Sequence, residues 1–451
     1  MTDARRADPD DRDSRGERDG RIERDTREER EGPRVVALAV DGMEPSLLER
    51  WIDAGELPEL RALRENGAYG TARCSSLSSA NQWTTHFTGV APETHGVTGF
   101  LKGDRKRRAG EPAPEARELI NLSDIRVKTY PELLAEVGVS VGLINPLPLW
   151  PPLELDGGFC VSGMLTPPTT DRWVHPPGLE PELEALGYRI DVRYGDRPYG
   201  FVDDDLFGEV SLETLRDDMF DVLDTRIRTT KHAVLEHDLD YLYSLLKSVD
   251  VIQHCFWAHM EGDDPTYGDA ILRSYRRVDD LVGWLRAETD ANLLVFSDHG
   301  FGPRRTDPPE GIHRVARAVA RRIPVPMAVK RAYDAVLCSP VEAGEDGVSV
   351  ESTTGIHSDP AVWALDGPDV ESGRPGEIRF EDLPPTILAL LGEPVPSAYV
   401  GSAVAAVPTP RVEERSLSVR REVHVGDEEV VSERLHNLGY AEMVDGDREG
   451  T

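Results

Sequence analysis

Order in this chain begins at Arg34, where six apolar residues in a row, Val35 to Val40, end in Asp41-Gly42. A short unbroken apolar run closed by a turn signal is the pattern of a strand buried on both faces, as in a parallel sheet. Behind it, Leu47, Leu48 and Trp51 share one helical face, and Leu60 to Leu63 resume the helical pattern past Leu57-Pro58. Gly67 stops it, and Tyr69 to Arg73 reads as the next strand. The alternation then recurs. A helix over Tyr130 to Glu136 precedes a strand over Val139 to Ile144. A long amphipathic helix over Val210 to Glu236 precedes a strand over Leu239 to Leu246. A helix over Tyr267 to Glu288 precedes a strand over Asn292 to Phe296. Repeated helix-then-strand units predict an α/β fold, a three-layer α/β/α sandwich with a mostly parallel central sheet.

Several stretches break the pattern. Residues 1–33 are almost all Arg, Asp, Glu and Gly, which predicts a disordered charged tail. Residues 101–128 are basic and then Pro-rich and acidic. Residues 145–205 are rich in Pro and Gly, and residues 303–352 mix Pro, Arg and acid around a helical patch at Arg314 to Arg322. All three read as insertions into a domain spanning 34–408, the second as ordered loops or a lid over one sheet edge. Residues 409–451 are a polar segment expected to pack on that domain, with a helix over Val431 to Tyr440.

Composition narrows the partners. The formal charge of −32 and the pI near 4.8 argue against any general affinity for nucleic acid, because a polyanion would meet a polyanion. Lysine is confined to Lys102, Lys106, Lys128, Lys231, Lys247 and Lys330. Acid-rich, lysine-poor composition keeps a surface hydrated in concentrated salt, so a halophilic source is expected. Cys74, Cys160, Cys255 and Cys338 lie far apart with no CxxC pair, which argues against a disulfide framework or a thiolate zinc site. No transmembrane run and no secretory signal is read, and a reducing cytoplasm is the simplest compartment.

Candidate chemistry sits at the ends of the predicted strands. Asp41 closes the first. Asp250 and His254 follow the 239–246 strand, four apart, so on a helix they share one face. Asp298 and His299 follow the 292–296 strand, and His357 precedes the apolar run Ala361 to Leu365. Alone, each has a bland explanation, since an Asp after a strand is commonly a turn or cap residue. Together, three Asp and three His at the ligand-binding edge of an open α/β sheet make two N/O sets suited to Zn²⁺, or to Mn²⁺. The hydroxyl-rich stretch that opens at Ser75 and runs into a short helix over Trp83 to Thr88 suits a phosphate. Ser79 there is either a nucleophile or only a cap.

These residues resemble the alkaline phosphatase superfamily, specifically its type I phosphodiesterase/nucleotide pyrophosphatase family and the phosphohydrolase/phosphomutase-like branch. The resemblance rests on VVALAVDGMEPSLLERW, SSANQWTTHFTGVAPETHGV, SVDVIQHCFW, YRRVDDLVGWL, LLVFSDHGFGP and TTGIHSDPAVWAL, in family order, and spans residues 34–440. It implies an alkaline phosphatase-like fold and a metal-dependent phosphoesterase acting on small phosphorylated substrates. One metal would be held by Asp250, His254 and His357. The other would be held by Asp41, Asp298 and His299 with Ser79, four residues before Trp83, as nucleophile and further ligand. Ser78 and Ser76 are the fallback nucleophiles. Metal coordination would make the serine reactive at neutral pH, and in-line displacement would pass through a covalent Ser79 intermediate.

The sequence departs from the family at Phe100, where nucleotide pyrophosphatases carry an Asn that donates to a phosphate oxygen; Asn81 or Lys102 are the candidate replacements. His95 is read as structural, Trp83, Phe256 and Trp257 as packing residues, and His259 and His313 as surface or loop residues. Phosphomonoesterase, phosphonate hydrolase and phosphomutase remain alternatives on the same site. A non-catalytic metal- or phosphate-binding protein is the alternative of another class. A cofactor-independent phosphoglycerate mutase is set aside for lack of its inserted domain. A sulfatase is set aside because Cys74 to Ser78 lacks the Pro and Arg of its motif.

Overall fold

In the computed structural model, which describes residues 32–102, 119–167, 170, 172–191, 211–305, 353–419 and 421, the run Val35–Val40 (β1) lies at the middle of a nine-stranded sheet. Its neighbours are β6 (Tyr241–Leu246) and β7 (Asn292–Phe296), both parallel to it and buried along their whole length. Val40 pairs with Leu246 and Ala39 with Phe296, so the three strands finish side by side. Beyond β6 come β3 (Val141–Ile144), β4 (Phe159–Val161) and the antiparallel edge strand β5 (Val174–His175). Beyond β7 come β10 (Ala361–Asp366), antiparallel to both its neighbours, then β2 (Ala68–Arg73) and β11 (Ile378–Arg379).

Two adjacent residues of β6 show how the layers are assigned. Tyr243 packs its ring against Trp83 and Phe87 of α3 (Ser79–Thr88). Ser244 shares a 2.7 Å hydrogen bond with Thr230 of α7 (Leu212–Glu236). Successive strand residues point to opposite faces, so α3 and α7 cover opposite faces of the sheet. With α7 lie α2 (Pro58–Asn66), α8 (Ser248–Glu261) and α9 (Ala270–Glu288); with α3 lie α5 (Tyr130–Glu136) and α10 (Leu383–Leu390). This is the α/β/α sandwich predicted above.

The helices begin where local chemistry allows. Glu44 accepts the Ser46 N–H ahead of α1 (Pro45–Asp53), which has Pro at its first position. Ser211 accepts the Thr214 N–H ahead of α7, and Thr129 and Glu132 form a capping box on α5. Two short helices complete the set used below, α4 (Pro92–His95) and α6 (Glu180–Ala185).

Two expectations need adjustment. The 145–205 insertion is not only loop: Phe159–Val161 and Val174–His175 extend the sheet edge, and α6 follows them. Such short strands give too little pattern to read. The predicted strands at 139–144 and 239–246 each begin two residues later than expected, at Val141 and Tyr241. The tail to residue 31, the helical patch at 314–322, His313 and the helix at 431–440 lie outside the described residues. The described part of the C-terminal segment runs along the domain. There β13 (Val412–Glu413) pairs with β12 (Val395–Pro396), and Arg421 ion-pairs Glu132 at 2.7 Å. Among the described residues no helix is long and apolar enough to cross a membrane.

Candidate metal centre and nucleophile

The three central strands each deliver an acid to one place. Asp41 directly follows β1, Asp298 follows β7, and Asp250 lies in the first turn of α8, just past β6. His254 follows Asp250 one turn along α8. His299 leads into β8 (Gly300–Pro303), and the antiparallel partner β9 (Gly355–Ser358) sets His357 opposite Phe301. The rings of His299 and His357 stack with centroids 3.6 Å apart. All six side chains are buried. Their ligand atoms form two compact triads, Asp250/His254/His357 and Asp41/Asp298/His299.

The histidine tautomers follow from their outer partners. Nδ1 of His254 lies 2.9 Å from the Gly355 carbonyl, Nδ1 of His299 3.0 Å from that of Gly300, and Nδ1 of His357 2.9 Å from that of Leu77. A carbonyl only accepts, so each Nδ1 carries the proton and each Nε2 presents a lone pair inward. These lone pairs meet carboxylate oxygens: His357 Nε2 to Asp250 Oδ1 at 3.0 Å, and His299 Nε2 to Asp41 Oδ1 and Asp298 Oδ2 at 3.4 Å each. Asp41 Oδ1 and Asp298 Oδ2 are buried with no hydrogen-bond partner. With each Nδ1 committed to a carbonyl, the converging Nε2 atoms and carboxylate oxygens fit a shared cation. The donor set therefore suits two divalent ions.

Charge is arranged to match. Burial, then the neighbouring Asp41, pushes the Asp298 carboxyl well above the usual carboxylate range. Burial also works to raise Asp250, but its neighbours, the Lys247 ammonium first, outweigh it and hold Asp250 well below that range. Burial lowers His254 to about 3, which keeps its imidazole neutral. Lys247 Nζ lies 2.5 Å from Asp250 Oδ2 and 3.9 Å from Asp41 Oδ2. Burial opposes the lysine's charge, yet Asp250 and Asp41 raise its pKa, so it stays a cation.

Ser79 is not the cap of α3. The helix starts at Ser79 itself, not near Trp83, and extended Ser78 (φ −84°, ψ 113°) is the N-cap. Nothing between Ser79 and Trp83 breaks a helix, so it runs back to the last extended residue. Ser79 Oγ lies 3.3 Å from His299 Nε2. Ser76 Oγ instead accepts the Ser78 N–H, and Ser75 Oγ donates to Gln82 Oε1. Gln82 Nε2 donates to the Asp298 carbonyl at 3.1 Å, and Trp83 Nε1 to Asp41 Oδ2 at 3.3 Å, so α3 is tied to the acid loops from two positions. At the far end of α3, Gly89 adopts φ 67° against the Tyr399 ring, where a Cβ would sit 2.3 Å from a ring carbon.

The remaining candidates have partners of their own. Asn81 donates to the Val97 carbonyl at 3.3 Å, and Lys102 lies 3.8 Å from Asp124. Phe100 is buried. His95 pairs with Thr85 and accepts the Val97 N–H, bracing the turn after α4. His259, expected at the surface, is buried: its ring packs on Phe256 and Tyr267 and its Nδ1 bonds Asp264 at 2.7 Å. Residue pattern missed Lys247, although it occupies the same strand-end position after β6 that Asp41 occupies after β1. It also missed a half-buried cluster in which Glu182 Oε1 meets His232 and His237.

Strand-end acids and imidazoles on an α/β/α sandwich fit a hydrolase of the alkaline phosphatase superfamily. The sequence profile of the type I phosphodiesterase / nucleotide pyrophosphatase family matches residues 35–338, and the chain belongs to that family, whose members act on phosphoric ester bonds. No curated protein matches the chain. Among solved structures, the phosphonoacetate hydrolase from Sinorhizobium meliloti 1021 in complex with phosphonoformate is 17% identical. The match covers 78% of this chain and 94% of that one, with a TM-score of 0.50, and shows the shared fold. The alkaline phosphatase PafA is 14% identical over 83% of this chain and 99% of that one, with a TM-score of 0.49. Murine ectonucleotide pyrophosphatase / phosphodiesterase 5 is 15% identical over 82% and 97%, with a TM-score of 0.41.

Proposed function

We propose that the chain is a phosphodiesterase that hydrolyses small phosphate esters through a covalent Ser79 intermediate, with two divalent cations, Zn²⁺ or Mn²⁺. Asp250, His254 and His357 hold one ion, and Asp41, Asp298 and His299 the other. The observation that carries the reading is the set of inward Nε2 lone pairs and unpaired carboxylate oxygens, with Ser79 Oγ 3.3 Å from one of them. When bound, the ions lower the pKa of the serine hydroxyl and offset charge on the phosphoryl oxygens. The Ser79 hydroxyl gives its proton to solvent as Oγ bonds to phosphorus and the bond to the leaving oxygen breaks, and the departing alkoxide takes a proton from water. Water then attacks the serine-bound phosphoryl ester and breaks its bond to Oγ, freeing the Ser79 hydroxyl and the phosphomonoester product. The Gln82 and Trp83 hydrogen bonds hold the nucleophile helix against the acids while this happens. The free thiols of Cys74, Cys160 and Cys255 fit a reducing cytoplasm, and the acidic composition fits concentrated salt.

The test is a high-salt substrate panel with added Zn²⁺ or Mn²⁺. It sets bis-p-nitrophenyl phosphate and nucleotide diesters against p-nitrophenyl phosphate and a phosphonate. Metal-dependent turnover of the diesters is expected. Turnover of monoester alone moves the assignment to a phosphatase, and none on any substrate leaves a binding protein.

A further inference from the structure

A third group of ligand-type side chains lies apart from the two triads. Glu182 projects from α6, His232 from the last two turns of α7, and His237 is the residue that ends α7. Five residues apart on an unbroken helix, the two imidazoles would point about 140° away from each other. The chain instead leaves the helix at His237 (φ −118°, ψ 130°), whose ring lies 5.1 Å, between centroids, from that of Phe159 in β4. Both imidazoles then turn onto one atom: His232 Nε2 lies 2.6 Å and His237 Nε2 2.8 Å from Glu182 Oε1. Among the described residues this is the one set of three His, Cys, Asp or Glu ligand atoms within 4.8 Å of one another outside the catalytic triads. β6 begins just past His237 and carries the chain about 20 Å to the catalytic acids, so the two places are separate.

The composition of the cluster says what it can hold. Two imidazole nitrogens and a carboxylate oxygen, with no thiolate, are the donor set of a Zn²⁺ site that keeps one position for water. The side chains of His232, His237 and Glu182 are 27%, 26% and 36% exposed, so solvent reaches that position. Ligand atoms stand about 3.3 Å apart around a tetrahedral Zn²⁺, so Glu182 has to draw back by about half an ångström. Nothing on α6 prevents it. Glu180 Oε1 accepts the Trp173 Nε1 hydrogen at 2.9 Å and holds the helix in place, while Glu182 meets only the two imidazoles among the described residues. Unlike the catalytic imidazoles, whose Nδ1 atoms are fixed by carbonyls, these two have no such acceptor among the described residues, so the cluster binds its ion more weakly.

We propose that Glu182, His232 and His237 form a separate Zn²⁺ site, which pins the sheet-edge insertion that carries α6 to the end of α7. The ion takes no part in the chemistry at Ser79. It joins two segments that only hydrogen bonds would otherwise hold at this point, and it stabilises the folded chain by mass action.

The test is equilibrium dialysis of the full chain against micromolar Zn²⁺, followed by elemental analysis. Wild type is compared with a His232→Gln/His237→Gln double variant and with Glu182→Gln. Glutamine keeps an N–H donor for Glu182 but is not a zinc ligand of the imidazole kind, so the double variant preserves the hydrogen bonds and removes the metal donors. The wild type is expected to carry one Zn²⁺ per chain more than the double variant. Glu182→Gln should bind that ion about tenfold or more weakly. Hydrolysis of p-nitrophenyl esters should be the same in all three. Added Zn²⁺ should raise the thermal midpoint of the chelated wild type further than that of the double variant, and the same melts show that each variant folds. Equal Zn²⁺ content in the wild type and the double variant, or an equal rise in midpoint, overturns the site and leaves three side chains joined by hydrogen bonds alone. Should the double variant fail to fold, Glu182→Gln against the wild type gives the same comparison. The readout is a difference between chains that share every catalytic residue, so it holds whether or not an ester is cleaved.

Discussion

His357 donates its Nδ1 hydrogen to the Leu77 carbonyl oxygen across 2.9 Å, which fixes the last imidazole of the centre to the stretch that carries Ser79. One side chain thus both completes a metal triad and holds the segment two residues before the nucleophile. His357→Ala should remove one metal ion per chain in an elemental analysis and lower turnover by about 10²-fold or more, because a ligand and an orienting bond go together. Unchanged metal stoichiometry would take His357 out of the ligand set.

Ser79 is placed at the first position of α3 with its hydroxyl on the His299 side, whereas Ser76 Oγ is occupied with the Ser78 N–H. Ser79→Ala should cost about 10³-fold or more in kcat while both metal ions stay bound. Ser76→Ala should lose far less. The serine-bound phosphoryl group, which keeps its second ester when the substrate is a diester, trapped by acid quench and located by mass spectrometry gives the direct check. A label at Ser78 or Ser76 would move the nucleophile there.

Metal removal should act on stability as well as activity. Asp41, Asp250 and Asp298 converge in a buried volume whose only described fixed cation is Lys247, so without the ions the carboxylates repel and Asp298 is driven toward its neutral form. Ions that bind only the folded chain add about 4 kcal/mol at a thousandfold excess over their Kd. Chelation should therefore lower the thermal midpoint and abolish turnover, with both restored by Zn²⁺ or Mn²⁺. A midpoint that does not move on chelation would mean that the triads are not filled in the native protein.

What could be read in advance, and what could not, follows from where each signal lies. Strands buried on both faces give unbroken apolar runs, so Val35–Val40 and Asn292–Phe296 were visible, and the acids behind them with them. The order of those strands in the sheet is what makes Asp41, Asp250 and Asp298 neighbours, and no local pattern encodes it. Phe159–Val161 is too short to show a period. Arg226 and His259 look like polar positions on amphipathic helices, and only the packing of other segments over them makes them buried. Lys247 comes level with Asp41 only through the pairing of β1 with β6, which no local pattern encodes.

His86 supplies a pH dependence of folding from outside the metal centre. Its ring is fully buried among Trp83, Phe87, Tyr130 and Phe296, and its Nε2 meets the Tyr130 hydroxyl at 3.0 Å. Burial lowers its pKa to about 3, against about 6.5 for an unfolded histidine. Between those values the unfolded chain binds a proton that the native chain refuses. Stability therefore rises with pH across this window and is lost as the pH falls from 6.5, by up to about 1.4 kcal/mol per pH unit. In His86→Phe the apolar ring fits the same aromatic surroundings, and the Tyr130 hydroxyl keeps its 2.7 Å partner, Tyr241. His95, which burial lowers to about 4, titrates in both proteins and cancels in the comparison. Urea unfolding at pH 7 and pH 5 should show the variant losing about 2 kcal/mol less than the wild type over that interval. Equal losses in the two proteins would mean that His86 takes up its proton inside the fold.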